Sequence, residues 1–313
     1  LYEEGVERLS ELRERAQGSI NLNRPAKPAG FDSEEQFMTE RETFMAQVDK
    51  TKEYIRAGDI FQLVLSQRVK RRTWVDSVAI YRSLRMLNPS PYTFLLDFGD
   101  YQLVGSSPEM LVQLSGRRAV TCPIAGTRKR TGELDVDRLA EQDMLSDEKE
   151  KAEHLMLVDL GRNDLGQVCE YGTVHVPRYA EVEYYSHVMH MVSRVEGRLN
   201  HDKDAYDLVK AAFPAGTVSG APKIRAIQLI DELEDVPRDF YAGAVGYFGS
   251  WGSLDTCIAI RTLMLKDGWV TFQAGAGIVA DSDPASEWEE TLNKLAALRQ
   301  AVDMAEENLG DSL

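Results

Sequence analysis

Two pairs of carboxylates at helical spacing carry the most obvious chemistry in this sequence: Glu287 with Glu290, and Glu150 with Glu153. Side chains three apart on a helix lie on one side of it, so each pair presents two carboxylates together. Two helices each offering such a pair can hold Mg²⁺ through one or two carboxylates per side while leaving positions for substrate oxygens. The plain alternative is a solvated acidic helix edge. That alternative is stronger for Glu150, which stands between Lys149 and Lys151. It is weaker for Glu287 and Glu290, because Gly275 and Gly277 lie just upstream and let backbone approach a ligand closely. Lys294 falls on the same helix edge as these two glutamates, within an arc of about 60°.

Other residues could join them. Pro123-Ile-Ala-Gly-Thr127 reads as a strand leading into a turn whose Gly126 and Thr127 offer an amide and a hydroxyl. Phe213-Pro-Ala-Gly-Thr-Val-Ser-Gly-Ala-Pro-Lys223 is a second turn at a helix start, where free amides and the helix dipole favour an anion. It lacks the ending of a phosphate-binding P-loop, which argues against a nucleotide. Structural turns explain either alone; with Gly275 and Gly277 they suggest several anion cradles that converge. Glu109 follows Pro108 between two strands and could be a general acid if partly buried. A loop glutamate is more often simply solvated. His190, in an otherwise apolar strand, could be a base or a satisfied core histidine. Arg261 lies in the apolar run Cys257–Thr262, where a cation needs an anionic partner from protein or ligand.

The elements that must position these groups follow from periodicity. Leu1–Arg15 is an amphipathic helix and Asn21–Gly30 a linker. Ser33 and Gln36 form a capping box for a helix running to about Ala57, with Phe37, Phe44, Val48 and Ile55 as its stripe. A strand over Ile60–Lys70 and a helix over Asp76–Met86 follow. Four short strands between Tyr92 and Ile124 read as an antiparallel meander. Asp135 to about Leu160 is helical, Val174–Pro177 and Tyr184–Leu199 are extended, and Ala205–Phe213 and Ile224–Glu232 are helices. Strands over Ala242–Ser250, Asp255–Lys266 and Trp269–Ala274 lead through a glycine turn to a last helix from Pro284. Its Trp288, Leu292, Leu295, Leu298 and Val302 share an arc of about 120° that faces a core. Strands come in runs rather than alternating with helices, which makes this an α+β chain with antiparallel sheet. Residues 1–30 are expected to be a helix and linker, 31–308 one catalytic domain, and 309–313 a tail.

Composition narrows the classes. The chain has 313 residues, a net charge of −15 and three cysteines, Cys122, Cys169 and Cys257. That charge argues against a nucleic-acid or anionic-membrane surface. The cysteines form no CxxC pair, which fits a reducing cytoplasm and no zinc knuckle. There is no run of 18 apolar residues and no signal-peptide pattern. The chain opens on Leu1 in mid-helix style, and so reads as a piece of a longer protein.

Several long strings carry a resemblance: Gly58-Asp-Ile-Phe-Gln62, Pro123–Thr127, Glu153-His-Leu-Met-Leu-Val-Asp-Leu-Gly-Arg-Asn-Asp164, the Thr217 turn, Leu254–Arg261 and Gln273–Ile278. Over about Glu34–Glu307 the chain resembles the chorismate-utilising enzymes, and among them the large, aminase components of anthranilate synthases. The resemblance implies antiparallel sheets packed as a sandwich with helices outside. It also implies binding of chorismate with Mg²⁺ held by Glu150, Glu153, Glu287 and Glu290, the metal acting as a Lewis acid. By the same likeness Tyr241, Arg261 and the backbone of Gly275 and Gly277 hold the pyruvyl carboxylate. Gly126, Thr127 and Thr217 complete the pocket, with Lys294 as a charge partner. Glu109 matches the acid that protonates the departing 4-hydroxyl, and His190 the histidine linked to pyruvate elimination. His187 matches no role.

Two positions choose among the chemistries of the family. Isochorismate and salicylate synthases place a water-activating lysine where Gln62 stands. Aminodeoxychorismate synthases typically carry a lysine where Ala125 stands. Their absence leaves ammonia adding at C2, then loss of pyruvate to give anthranilate, the first committed step of tryptophan biosynthesis. The ammonia is expected from a glutamine amidotransferase partner or from free ammonium. Asn88-Pro89-Ser90-Pro91-Tyr92 resembles half of a tryptophan feedback site, though Thr93 departs from the usual methionine. The other half belongs to an N-terminal region that the chain is expected to lack. Two other readings stay open from sequence: an aminodeoxychorismate-type aminase, and a fragment that only binds chorismate, Mg²⁺ or a partner.

Overall fold

The computed structural model describes residues 1–18, 27–185 and 188–308. Helix α1 (Tyr2–Gln17) precedes strand β1 (Gln36–Phe37), helix α2 (Arg41–Ala57), strand β2 (Gln62–Arg72) and helix α3 (Ser77–Leu87). Strands β3 (Tyr92–Asp97), β4 (Gln102–Ser107), β5 (Met110–Ser115), β6 (Arg118–Thr121) and β7 (Ile124–Lys129) follow. Helices α4 (Leu134–Ser146) and α5 (Glu148–Gly166) lead to the hairpin β8 (His175–Tyr184) and β9 (Val188–Arg198). Next come helix α6 (Ala205–Ala212), a 3₁₀ turn (Gly216–Val218), strand β10 (Gly220–Ala221) and helix α7 (Lys223–Leu233). Strands β11 (Ala244–Phe248), β12 (Leu254–Ile258), β13 (Thr262–Lys266) and β14 (Trp269–Ile278) end at helix α8 (Pro284–Asn308).

Among the described residues the strands form two seven-stranded antiparallel sheets. One runs β1-β2-β14-β13-β4-β3 with β10 against β2; the other runs β11-β12-β5-β6-β9-β7 with β8 against β9. Alternation sorts the central strands of the first sheet into two faces. Leu63, Leu65 and Val69 of β2, with Phe272, Ala274 and Ala276 of β14, pack beneath α2, α3, α7 and α8. The opposite face shows Gln62, Val64, Ser66 and Arg68 beside Gln273, Gly275 and Gly277. The second sheet has its own core with α5 and α6, through Val158, Leu165, Leu208 and Ala212. An α+β fold with antiparallel sheets and peripheral helices is therefore observed, as the sequence predicts.

Several boundaries differ from those expected. Helix α2 begins at Arg41, without a side-chain cap, instead of near Ser33. Gln36 and Phe37 pair instead with Lys70 and Val69, where Phe37 packs on Trp288 at 5.6 Å. The expected meander is divided, with β3 and β4 in one sheet and β5 and β6 in the other. The single helix expected over 135–160 is two, because Asp147 caps α5 by accepting from the Lys149 and Glu150 amides. Gly275 and Gly277 stand within β14 rather than in a turn. Part of the expected linker and the whole of the 309–313 tail lie outside the described residues.

The sheets are joined by two crossings that run side by side. The chain passes from β4 to β5 through Pro108 and Glu109, and from β12 to β13 through Ala259, Ile260 and Arg261. The Ser106 amide donates to the Arg261 carbonyl at 3.1 Å, and the Ile258 amide donates to the Glu109 carbonyl at 3.0 Å. The apolar run that sequence reads as one strand through Arg261 thus bends from one sheet into the other.

Helix α8 is docked by Leu295, Leu298 and Val302, all buried, and by Arg71 paired with Asp303 and Glu306 at 2.7 and 2.9 Å. Leu295→Ala should lower the unfolding free energy by about 2–5 kcal/mol, because the site is fully packed. Urea unfolding followed by circular dichroism measures this. A loss below about 1 kcal/mol would mean that α8 does not seat on the sheet in this way.

Candidate active site

A cavity of about 390 Å³ lies between the polar face of the first sheet and the β7–β9 side of the second, with α5 and α8 contributing to its walls. Its floor is β14. A Cβ at Gly275 would come within 2.8 Å of the Tyr241 hydroxyl, and one at Gly277 within 2.5 Å of Gln62 Nε2. The two glycines therefore make room for side chains that lie across them. Lys294 Nζ donates to the Gly275 carbonyl at 2.9 Å and pairs with Glu290 at 2.6 Å. Arg261 donates to the Lys294 carbonyl at 2.6 Å. Its backbone is left-handed, φ +49°, a conformation that costs an arginine of order 1 kcal/mol and clusters at functional sites. Burial lowers its guanidinium pKa, while Tyr241 and Glu290 pull the other way. Burial pushes the Tyr241 phenol up to about 12.

The second sheet contributes β7 and β9. Gly126, at φ +66°, interrupts the ladder between Ala125 and Thr127. This irregularity sets Thr127 against His190, with Thr127 Oγ1 3.0 Å from His190 Nδ1. The Gly126 carbonyl is 3.2 Å from the same nitrogen. A carbonyl can only accept, so the tautomer that carries its proton on Nδ1 is the one that serves this contact. Burial lowers the His190 pKa, against the opposing pull of the Gly126 carbonyl. Ala125 lines the cavity with a methyl group.

Glu109 enters from the crossing between β4 and β5. Burial pushes its carboxyl up to about 7, against the pull of the Thr217 hydroxyl and the Lys294 charge. Thr217 Oγ1 is close enough to exert that pull, yet it is buried with no partner in full hydrogen-bond geometry. A carboxyl poised near neutrality in a cavity is suited to giving up a proton.

Glu153, Glu287 and Glu290 line the cavity. Burial and then the charges of Glu150 and Glu290 push Glu153 up. Burial and Glu290 raise Glu287, which Ser282 holds back by a hydrogen bond. Glu150 is turned aside and pairs with Arg128 at 2.8 Å. Among the described residues no three acidic, histidine or cysteine side chains are grouped tightly enough to grip a metal ion as they stand. The donor set nevertheless suits a hard divalent cation. Its oxygens come from two helices, and two of its members are raised partly by neighbouring carboxylates, a repulsion that a cation relieves.

Asn88–Tyr92 lies away from this cavity. The Tyr92 hydroxyl donates to Asp255 at 2.9 Å, and Thr93 Oγ1 donates to the Ser90 carbonyl at 3.1 Å. His187 is outside the described residues. Three further residues belong to the site without having been singled out from sequence. Lys149 lines the cavity beside Glu153. Gln273, which donates to Ser66 and accepts from Arg68, shares its strand face with Gly275 and Gly277, a parity visible in the sequence. Arg238 donates to the Val218 and Val64 carbonyls at 2.6 and 2.7 Å and stacks on Tyr241 at 5.5 Å. No local pattern marks it.

Comparison with known proteins sets this geometry in context. The family described as chorismate binding enzyme matches residues 2–300. Anthranilate synthase component 1 of Aquifex aeolicus is 53% identical over 300 residues, which is 96% of this chain and 60% of that protein. The protein of the same name from Acetivibrio thermocellus is 55% identical over 267 residues, or 85% of this chain and 54% of its own length. The chain thus spans less than two thirds of these relatives. The crystal structure of anthranilate synthase component I from Streptococcus pneumoniae superposes with a TM-score of 0.86 at 43% identity, covering 94% of this chain and 65% of that one. The menaquinone-specific isochorismate synthase of Escherichia coli superposes with a TM-score of 0.82 at 26% identity, covering 94% and 68%.

The raised pKa of Glu109 has a consequence for stability. Its folded value near 7 exceeds its ordinary 4.5, so the folded state binds the extra proton, and stability falls as pH rises between those values. Glu109→Gln should therefore raise the unfolding free energy at pH 8, by at most about 3 kcal/mol, with the gain vanishing below about pH 4.5. Chemical denaturation at both pH values tests this. An equal effect at both would mean that the carboxyl is not destabilised by burial.

Proposed function

This chain belongs to the family of chorismate-binding enzymes, and on that premise we propose that it converts chorismate and ammonia to anthranilate and pyruvate with Mg²⁺ as cofactor. The observation that carries the reading is Glu109, a carboxyl pushed up to about 7 on the wall of a cavity that also holds Arg261, Lys294 and three glutamates. Such a site takes a dianion with a departing hydroxyl. The names of the relatives from Aquifex and Acetivibrio support the same reaction.

Arg261 and Tyr241, with the backbone at Gly275 and Gly277, hold the pyruvyl carboxylate. Gly126, Thr127 and Thr217 frame the ring. Glu153, Glu287 and Glu290 would hold Mg²⁺, and Glu150 would join them only by leaving Arg128. When bound, such an ion would supply Lewis-acid chemistry that withdraws charge from the ring. Glu109 gives its proton to the 4-hydroxyl, which leaves as water while ammonia adds at C2. His190 serves the later elimination of pyruvate. Gln62 cannot take a proton at neutral pH, which disfavours water as the nucleophile. Ala125 offers no nucleophile. Lys294 holds Glu290 and the Gly275 carbonyl at the edge of the cluster.

The whole protein would draw ammonia from a glutamine amidotransferase subunit, and residues 31–308 would form its catalytic unit. Asn88–Tyr92 would contribute to a tryptophan site apart from the cavity. No described helix is long and apolar enough to cross a membrane, and cytoplasmic work is part of the same reading.

The test is an assay with chorismate, ammonium and Mg²⁺ that follows anthranilate fluorescence and product mass. A Mg²⁺-dependent anthranilate signal is expected, and a product with the mass of isochorismate or aminodeoxychorismate would overturn the reading. Glu109→Gln should lower kcat by about 10²–10⁴ with little change in KM. In the parent protein kcat should fall as pH rises through about 7, because the acid must be protonated. His190→Met should let the aminated intermediate build up ahead of anthranilate; its absence at a normal rate of anthranilate formation would remove His190 from the elimination step.

A further inference from the structure

A second cavity, of about 40 Å³, lies behind Glu109. Glu109 and Thr217 line both this cavity and the large one, and so form the wall between them. Leu111, Leu157, Leu165 and Ile258 make most of the small cavity apolar. The Thr121 hydroxyl beside it already donates to the Leu111 carbonyl. The remaining strong polar group is Asp164, which is buried and joined to Lys223 Nζ at 2.7 Å. Lys223 also donates to the Ala212 carbonyl at 3.2 Å. Asp164 therefore stands at the far side of a space with room for a water molecule, which needs about 10–15 Å³ and two or more polar partners. Those partners are the Glu109 and Asp164 carboxyls and Thr217 Oγ1, whose hydroxyl is buried without any other partner.

We propose that Asp164 recharges Glu109 with a proton, through one water in the small cavity and the Thr217 hydroxyl. This rests on the reading of Glu109 as the acid of the first step. In that step the Glu109 O–H bond breaks, its proton joins the departing hydroxyl to give water, and Glu109 is left as a carboxylate. Substrate then fills the large cavity, so the return path runs behind. The Thr217 hydroxyl gives its proton to Glu109 and takes one from the water, which takes one from Asp164. A solvent acid restores Asp164. The proton lost by the newly added nitrogen leaves to solvent, so the cycle is balanced and needs no other reactant. Burial pushes Asp164 up to about 6, while Lys223 pulls it down. Burial likewise raises Glu109 to about 7, so the two carboxyls are matched closely enough to exchange a proton.

The experiment is rapid mixing of the protein with chorismate, ammonium and Mg²⁺, which compares the first turnover with the steady state. In Asp164→Asn the first turnover should run near the parental rate, because Glu109 begins protonated. Later turnovers should be at least about tenfold slower, which produces a burst of one product per site. Formate or acetate at mildly acidic pH should restore the slow phase in proportion to its undissociated acid, a response that a structural defect does not give. Leu157→Phe fills the cavity without changing an ionisable group and should give the same burst. Absence of a burst in both variants, whether both phases are normal or both are slowed alike, overturns the relay. Glu109→Gln separates this from the underlying reading: retention of its first turnover would remove Glu109 as the acid, whatever Asp164 does.

Discussion

Backbone groups that leave a sheet must find new partners, and this protein meets that requirement by letting two crossings serve each other. The Ser106 amide donates to the Arg261 carbonyl, and the Ile258 amide to the Glu109 carbonyl. The ladder between β4 and β13 in one sheet thereby continues into the ladder between β5 and β12 in the other. Gly105 sits where the bend begins. A Cβ there would lie 2.3 Å from the Phe94 ring and 2.7 Å from Thr262 Oγ1. The residues that face the gap at the crossings are Glu109 and Arg261, an acid and a cation. Main-chain pairing holds the backbone of both, so the fold sets where each side chain starts.

Beneath the cavity a connected polar network does the same for the opposite wall. Glu234 accepts from the Ser66 amide and hydroxyl and from Arg238. Arg238 also holds the Val64 and Val218 carbonyls. Arg68 joins Gln273, Asp239 and the Pro237 carbonyl. A buried network of this kind specifies one arrangement when its members are served, because each unpaired group in a low dielectric is costly. Here it ties residues 234–241 to strands β2 and β14, and so fixes Tyr241 above Gly275 and Thr217 beside Glu109. The acidic rim is balanced differently. Lys294 answers Glu290 and Arg128 answers Glu150, while Glu153 and Glu287 keep a repulsion that burial sharpens.

Much of this was legible in local pattern. The α8 stripe from Trp288 to Val302, its acidic edge, the end of α2 near Ala57 and the start of α3 near Asp76 all follow from spacing and local chemistry within one element. The strings around Gly126, Thr217 and Gly275 pointed to the residues that line the cavity. Long-range pairing changed the readings that a single element could not settle. Gln36 and Phe37 pair with a distant strand edge instead of starting a helix. The run through Arg261 reads as one strand because its residues are apolar, but it leaves one sheet and enters another. Nothing local distinguishes those outcomes.

By itself, then, the sequence determined which residues share a helix edge or strand face, where helices stop, and which side chains have acid, base or ligand chemistry. These follow from the fixed periods of helix and strand and from the conformations that Gly, Pro and Asp favour. Tertiary structure alone decided that Glu109 lies in a buried wall with its carboxyl near neutrality. It decided that His190 Nδ1 meets Thr127 and the Gly126 carbonyl and that Glu150 turns to Arg128 rather than to the cavity. It also set Arg238 against Tyr241 and Asp164 at the small cavity behind Glu109. Burial, charge neighbours and hydrogen-bond partners belong to groups far apart in the chain. No local period encodes which of those groups will meet.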